Sequence, residues 1–192
     1  MKKVLDNQRN KRLNYSQIME KPINYTIFET KWGWFGLTGT QNALLRTYLP
    51  MRNRKNLKEQ LIRDSPHAEY RKKLFEPLQR QIIAYFKGTY VNFSLDMPIE
   101  LDGLSRFSCQ VLTACRDIKF GYTTTYGALA KKIHRPGSAR AVGQVMAHNR
   151  LPLIIPCHRV LRSDGQIGGF SAGGGTKLKQ KMLEFEQLYH ND

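Results

Sequence analysis

The chain has 192 residues, 41% of them hydrophobic, which is enough to bury a core without disulfides or metal and too apolar for a disordered segment. Its 31 Lys and Arg against 15 Asp and Glu give a formal net charge of +16, while three cysteines without paired spacing exclude a disulfide framework and point to a reducing compartment. No apolar run approaches the roughly 18 residues that span a bilayer, so a soluble protein without membrane contact is expected, cytoplasmic, or nuclear if the source is a eukaryote.

Residues 1–22 read as a basic arm: Lys2, Lys3, Arg9, Lys11 and Arg12 are followed by no apolar stretch, so a secretory signal is not expected. From Ile23 to Pro50, short β-rich runs (Asn24 to Phe28, Gly33 to Thr38, Ala43 to Leu49) alternate with turn residues, the pattern of a small antiparallel meander. Arg52 to Arg63 is polar with sparse apolar residues. Ser65-Pro66 and Glu76-Pro77 each place proline where a helix begins; the second continues through Leu78, Ile82, Tyr85 and Phe86 and stops at Gly88. Val91 to Leu95 is a candidate final strand. Asp96 to Gly103, with Pro98, is the expected linker, which divides the chain into the arm at 1–22, an α/β domain at 23–100 and a second domain at 101–192.

After that boundary the pattern turns helical. Leu104, Phe107, Val111, Cys115 and Ile118 recur at helical intervals, and Cys109 and Cys115 read as packing residues. Two short helices follow, one striped by Tyr126, Leu129, Ala130 and Ile133 with Thr125 as cap, the other by Ser138, Ala141, Val142, Val145 and Met146. Between them Arg135-Pro136-Gly137 breaks the chain, giving a helix-turn-helix pattern. On the second helix Arg140, Gly143, Gln144 and Ala147 point away from the apolar stripe. That face, one arginine among very small residues and an amide, lets the backbone approach another surface closely. Between Ile118 and Leu183 eleven Lys or Arg stand against the single acid Asp164, the footprint of a polyanion partner.

Leu151 to Val160 reads as an apolar strand-like segment that ends at Pro156 and delivers Cys157 at its tip. His158, Arg159 and Arg162 stand beside the thiol in sequence, and cationic neighbours lower a thiol pKa. The glycine-rich run from Gly165 to Lys177 has Gly-Thr-Lys where a phosphate-cradling loop needs Gly-Lys-Ser or Gly-Lys-Thr, so it reads as a loop lying against a small planar ligand. The last helix carries Leu178, Met182, Phe185 and Tyr189 on one face, with Glu184 and Glu186 off the stripe. There is no Cys-x-x-Cys, His-Glu-x-x-His or grouped Asp, so neither a metal site nor a cofactor is expected.

Pro156-Cys157-His158-Arg159-Val160 resembles the active-site pentapeptide of the O6-alkylguanine-DNA alkyltransferase family, the methylated-DNA-protein-cysteine methyltransferases. Thr125 to Ala130, Ala139 to Gly143, Asn149, Gly169-Phe170-Ser171, and Lys177 with Glu184 match in order and spacing. The resemblance is firm over Leu104 to Glu186 and looser over Ile23 to Leu101. It implies an α+β fold: a small amino-terminal antiparallel sheet domain with helices, ribonuclease H-like, and a mostly helical carboxy-terminal domain holding the helix-turn-helix and the active cysteine. It also implies DNA repair by direct reversal, in which Cys157 accepts the alkyl group of an O6-alkylguanine, with O4-alkylthymine as a further candidate, in one irreversible turnover. By this resemblance His158 acts through a water and is oriented by Glu184, while Tyr126 favours protonation of the leaving base. Val160, Ser171, Phe170, Met146 and Asn149 form or hold the base pocket. Arg140 fills the stack of the flipped base from a helix in the minor groove, with Gly143, Gln144, Ala147 and Thr125 also at the DNA. The implied partner is double-stranded DNA, and the implied state is a monomer.

Three positions depart from the family pattern: Arg150 stands where proline is common, Phe170 where some members have tyrosine, and Gln144 where some have a small residue. Arg150 and Gln144 motivate an alternative reading, a lesion-binding sensor or regulator without transfer. A thiol hydrolase built on Cys157 and His158 has little support, because adjacent strand residues point to opposite faces.

Overall fold

The computed structural model describes residues 22–93 and 95–189. The expected basic arm lies, except for Pro22, outside them. The meander forms as the alternation predicts. Strands β1 (Asn24–Thr30), β2 (Gly33–Gly39) and β3 (Leu44–Met51) pair antiparallel, and a two-residue strand β4 (Glu69–Tyr70) joins β1 in parallel, giving the order β3-β2-β1-β4.

In the first hundred residues one helix is added and two expectations are corrected. Arg54–Asp64 is a helix, α1: the Asn53 side chain accepts from the backbone N–H groups of Lys55 and Asn56, and Leu57 and Leu61, four apart, are fully buried under β1 and β3 with Tyr25, Ile27 and Tyr48. Three apolar residues in eleven, Leu57, Leu61 and Ile62, are too few to raise a periodic signal. Ser65-Pro66 starts no helix; Ser65 closes α1 through its N–H to the Leu61 carbonyl, 2.9 Å, and the chain runs on to β4. Residues 91–93 form no strand either. Instead the following segment is tied to β3 by Leu44 N–H to the Pro98 carbonyl, 3.0 Å, and Glu100 N–H to the Leu44 carbonyl, 2.8 Å. Helix α2 (Glu76–Lys87) begins with Pro77 in its first turn and ends at Gly88, whose φ of +103° suits glycine.

The second half is helical, as its periodicity predicts. Helix α3 (Arg106–Arg116) is capped by Ser105, and α4 (Tyr126–Lys132) and α5 (Ala139–Ala147) pack on each other and on α3. Helix α6 (Gly175–Leu188) closes the described chain. A parallel pair of two-residue strands, β5 (Thr124–Thr125) and β6 (Val160–Leu161), ties the start of α4 to the end of the cysteine segment.

The chain is a mixed α+β protein. Phe35, Leu37 and Leu44 of the sheet and Leu78, Ile82, Tyr85 and Phe86 of α2 pack in one buried cluster with Val111 and Cys115 of α3, Val142 and Met146 of α5, and Met182 of α6. Side chains from both sides of the Asp96–Gly103 stretch thus share one core. Among the described residues no helix is long and apolar enough to cross a membrane.

Candidate active site

The segment expected as a strand is a buried turn. Leu151 N–H is held by Asn149 Oδ1 at 2.9 Å, Ile155 N–H returns to the Leu151 carbonyl at 2.8 Å, and Leu153 adopts φ +79°. A left-handed leucine costs about 1–3 kcal/mol and persists only where its surroundings over-determine it; Leu153 is 1% exposed. An unbroken apolar run distinguishes poorly between a buried strand and a buried turn, which is why the sequence misled here. Strand β3 clamps the turn from outside through Thr47 Oγ1 to the Pro152 carbonyl, 2.6 Å, and Thr47 N–H to the Arg150 carbonyl, 3.0 Å.

Cys157 opens a single 3-10 turn, Cys157–Arg159, and is buried. Asn149 Nδ2 donates to both the Ile155 carbonyl at 2.9 Å and Cys157 Sγ at 3.1 Å, so one amide shapes the turn and touches the thiol. The expectation of a thiol pKa lowered by its sequence neighbours is reversed. Burial pushes it up, opposed in part by the Asn149 hydrogen bond and the charge of Lys179. Arg159 faces away into an ion pair with Glu186, and Arg162 pairs with Asp164 at the surface. The cation that serves Cys157 is Lys179, fully buried, with Nζ donating to the Val160 carbonyl at 2.6 Å and lying 5.8 Å from the Tyr126 ring centroid.

The orienting acid is Glu186, not Glu184. Glu184 is exposed and accepts from Gln180, whereas Glu186 is 1% exposed and its Oε1 lies 2.8 Å from His158 Nε2. Lys177 is likewise exposed while Lys179 is buried, so the whole pattern shifts by two residues. A helix turns about 100° per residue, so measured from Met182, Glu186 and Lys179 lie within about 60° and Glu184 about 200° away. That phase is legible in the sequence, and it was the signal to use.

Around Glu186 the donors crowd. Oε1 accepts from the Tyr85 hydroxyl at 2.7 Å, His158 and Arg159 Nη2 at 2.9 Å; Oε2 accepts from Arg159 Nε at 2.8 Å and Gly121 N–H at 3.2 Å. Burial alone would raise this carboxyl, but His158 and Arg159 outweigh it and hold Glu186 well below the usual carboxylate range. His158 is fully enclosed, and burial lowers its pKa despite Glu186. The neutral ring donates Nε2–H to the carboxylate, which can only accept, so its lone pair lies on Nδ1, a buried atom without a hydrogen-bond partner among the described residues.

The other expected residues gather around this centre. Thr125 caps α4 by accepting from Ala128 N–H at 3.1 Å, which sets Tyr126 at the helix start. Tyr126 is half-buried, its pKa raised by burial and by Cys157. A Cβ at Gly168 would come within 2.6 Å of the Tyr126 hydroxyl, so this glycine is what admits the phenol. Ser171 Oγ donates to the Ala147 carbonyl at 2.6 Å, pinning the glycine-rich loop to the end of α5. Phe170 packs partly buried against the core, which includes Met146 and Val160. The Cys157 carbonyl accepts from Val160 N–H and the Val160 carbonyl from Lys179, and each oxygen retains a second lone pair. On α5, Arg140, Gln144 and Ala147 are exposed and Gly143 is intermediate. Ala141, expected in the apolar stripe, is exposed as well; Val142 and Met146 alone of α5 are buried.

A cavity of about 720 Å³ opens between β3 and the end of α5, lined by Arg46, Thr47, Gln144, Asn149, Arg150 and Ser171 but not by Cys157. Of the eleven cations in the basic stretch, Arg159 and Lys179 are spent inside the protein. No group of three or more His, Cys, Asp or Glu among the described residues could hold a metal ion.

Comparison with known proteins gives this geometry its context. Residues 106–188 match the family model described as 6-O-methylguanine DNA methyltransferase, DNA binding domain. A methylated-DNA-protein-cysteine methyltransferase of Methanosarcina acetivorans is 32% identical over 164 residues, 84% of this chain and 97% of that protein. One from Mycolicibacterium paratuberculosis is 39% identical over 109 residues, 57% of this chain; the match spans 63% of that relative's length. A crystal structure of Mycobacterium tuberculosis OGT in complex with DNA superposes with a TM-score of 0.71 at 31% identity, covering 86% of this chain and 94% of that one.

Proposed function

Because the chain belongs to the methylated-DNA-protein-cysteine methyltransferase family, we propose that it repairs DNA by direct reversal, moving the alkyl group of O6-alkylguanine irreversibly onto Cys157. The observation that carries this reading is the Asn149–Cys157 contact set beside a neutral His158 held by Glu186. The Cys157 S–H bond breaks as its proton passes, through a water, to His158 Nδ1, and Glu186 stabilises the imidazolium formed. The thiolate attacks the alkyl carbon in line; the C–S bond forms while the C–O6 bond breaks, and the electron pair stays with guanine. Tyr126 donates a hydrogen bond to the leaving base and so favours its protonation by water. The product is a thioether, so each molecule acts once.

The base is flipped out of the duplex and lies among Tyr126, Met146, Val160, Phe170 and Ser171, with Asn149 holding the turn beneath it. Residues 101–192 carry both DNA binding and transfer, and residues 23–100 support them. Helix α5 enters the minor groove, where Arg140 fills the vacated stack and Gly143, Gln144 and Ala147 permit close approach, with Thr125 at the flank. Double-stranded DNA is the partner of a monomeric protein that needs no cofactor. O4-alkylthymine is a second candidate substrate, and a reducing cytoplasm suits the single-use thiol.

The test is to incubate the protein with a duplex carrying one O6-methylguanine and to weigh the protein and its peptides. One added methylene on the Cys157 peptide, in amount limited by protein, is expected. Tight binding without a mass change would replace this reading with the sensor reading.

A further inference from the structure

We propose that Tyr85, on α2 of the amino-terminal half, is a positioning residue for the transfer chemistry: its hydroxyl shares Glu186 Oε1 with His158 and so helps fix the ring that receives the Cys157 proton. The inference rests on the function proposed above. It is carried by a contact that spans 101 residues of sequence, 2.7 Å from the Tyr85 hydroxyl to the same oxygen that lies 2.8 Å from His158 Nε2.

A carboxylate offers about four lone-pair sites. On Glu186, Arg159 Nε and Gly121 N–H take Oε2, while Arg159 Nη2, His158 and Tyr85 converge on Oε1. The phenol therefore does two things at that oxygen. It closes off a rotation that would carry Oε1 away from His158, and it ties the carboxylate to α2. The ring itself is packed independently of the hydroxyl: its centroid lies 4.9 Å from that of Phe86 and 5.7 Å from that of Phe120, both nearly edge-on. The titratable and charged groups that act on the pair are then Tyr85 from α2, Arg159 from the 3-10 turn, and Lys179 from α6. Through Tyr85 the amino-terminal half acts on the reacting centre without touching the thiol.

Tyr85→Phe keeps the ring and removes the donor. Two readouts separate a positioning role from simple packing. The first, nuclear magnetic resonance of the His158 Nε2 proton, needs no substrate; with Oε1 no longer held in place its bond to the imidazole loosens, and the resonance should move upfield. The second is the single-turnover rate on O6-methylguanine duplex, which should fall about three- to tenfold while DNA affinity stays unchanged. An unmoved resonance overturns the proposal, and so does a moved resonance with an unchanged rate. If the unsubstituted protein leaves Cys157 unalkylated, the function reading fails, and the resonance still reports whether Tyr85 acts on His158.

Discussion

Helices α5 and α6 differ in where they send polar side chains: α6 buries two of them and α5 buries none. Helix α6 turns Lys179 and Glu186 into the core, where Lys179 donates to the Val160 carbonyl and both Glu186 oxygens accept, while α5 turns Arg140, Gln144 and Ala147 outward. Desolvated charges must be satisfied before any substrate arrives, because an unpaired one would cost several kcal/mol. A surface that meets a polyanion is better left solvated and small, its partner supplying the missing contacts on arrival. On the proposed function, α6 serves the chemistry and α5 the docking, and single substitutions should separate the two.

The largest effect should come from Cys157→Ala, which abolishes transfer, read as absence of the mass gain, while leaving duplex binding by gel shift nearly unchanged. Next, Glu186→Gln and Glu184→Gln form a matched pair on opposite faces of α6. The first should slow transfer on the order of a hundredfold and destabilise the fold by about 3 kcal/mol. The second should stay within about 0.5 kcal/mol by denaturant unfolding. Folding lowers the proton affinity of Glu186, so the unfolded chain binds the extra proton. Its stabilisation is therefore present above its ordinary pKa of 4.5, is lost as pH falls toward the lower folded value, and disappears in Glu186→Gln.

Lys179→Met removes the buried cation beside Cys157. The thiol pKa should rise further, so transfer slows about tenfold at neutral pH and recovers as pH is raised; a curve that drops without moving along the pH axis would assign Lys179 to packing alone. The smallest effect belongs to the docking helix. Arg140→Ala should slow repair in duplex about fivefold and leave reaction with free O6-benzylguanine within about twofold, since only the duplex needs its gap filled. Equal losses on both substrates would dissolve the distinction between the two helices.

Much of this was legible in the amino acids alone. The meander follows from alternation, α2 from Pro77 and Gly88 at its ends, α3 to α6 from their apolar stripes, and Cys157 and His158 from the pentapeptide that marks the family. Local patterns suffice there because caps, breakers and periodicity act within a few residues. Packing decided the rest. Helix α1 depends on two leucines meeting the sheet, the turn at Leu153 is held in a strained conformation by its burial, and Arg159 abandons its neighbour Cys157 for Glu186. The two-residue displacement to Glu186 and Lys179 lay in the helical phase, yet only burial gave that phase its meaning. That Tyr85 reaches Glu186 across 101 residues was decided by the tertiary structure alone, because no local rule relates two side chains brought together only when the core closes.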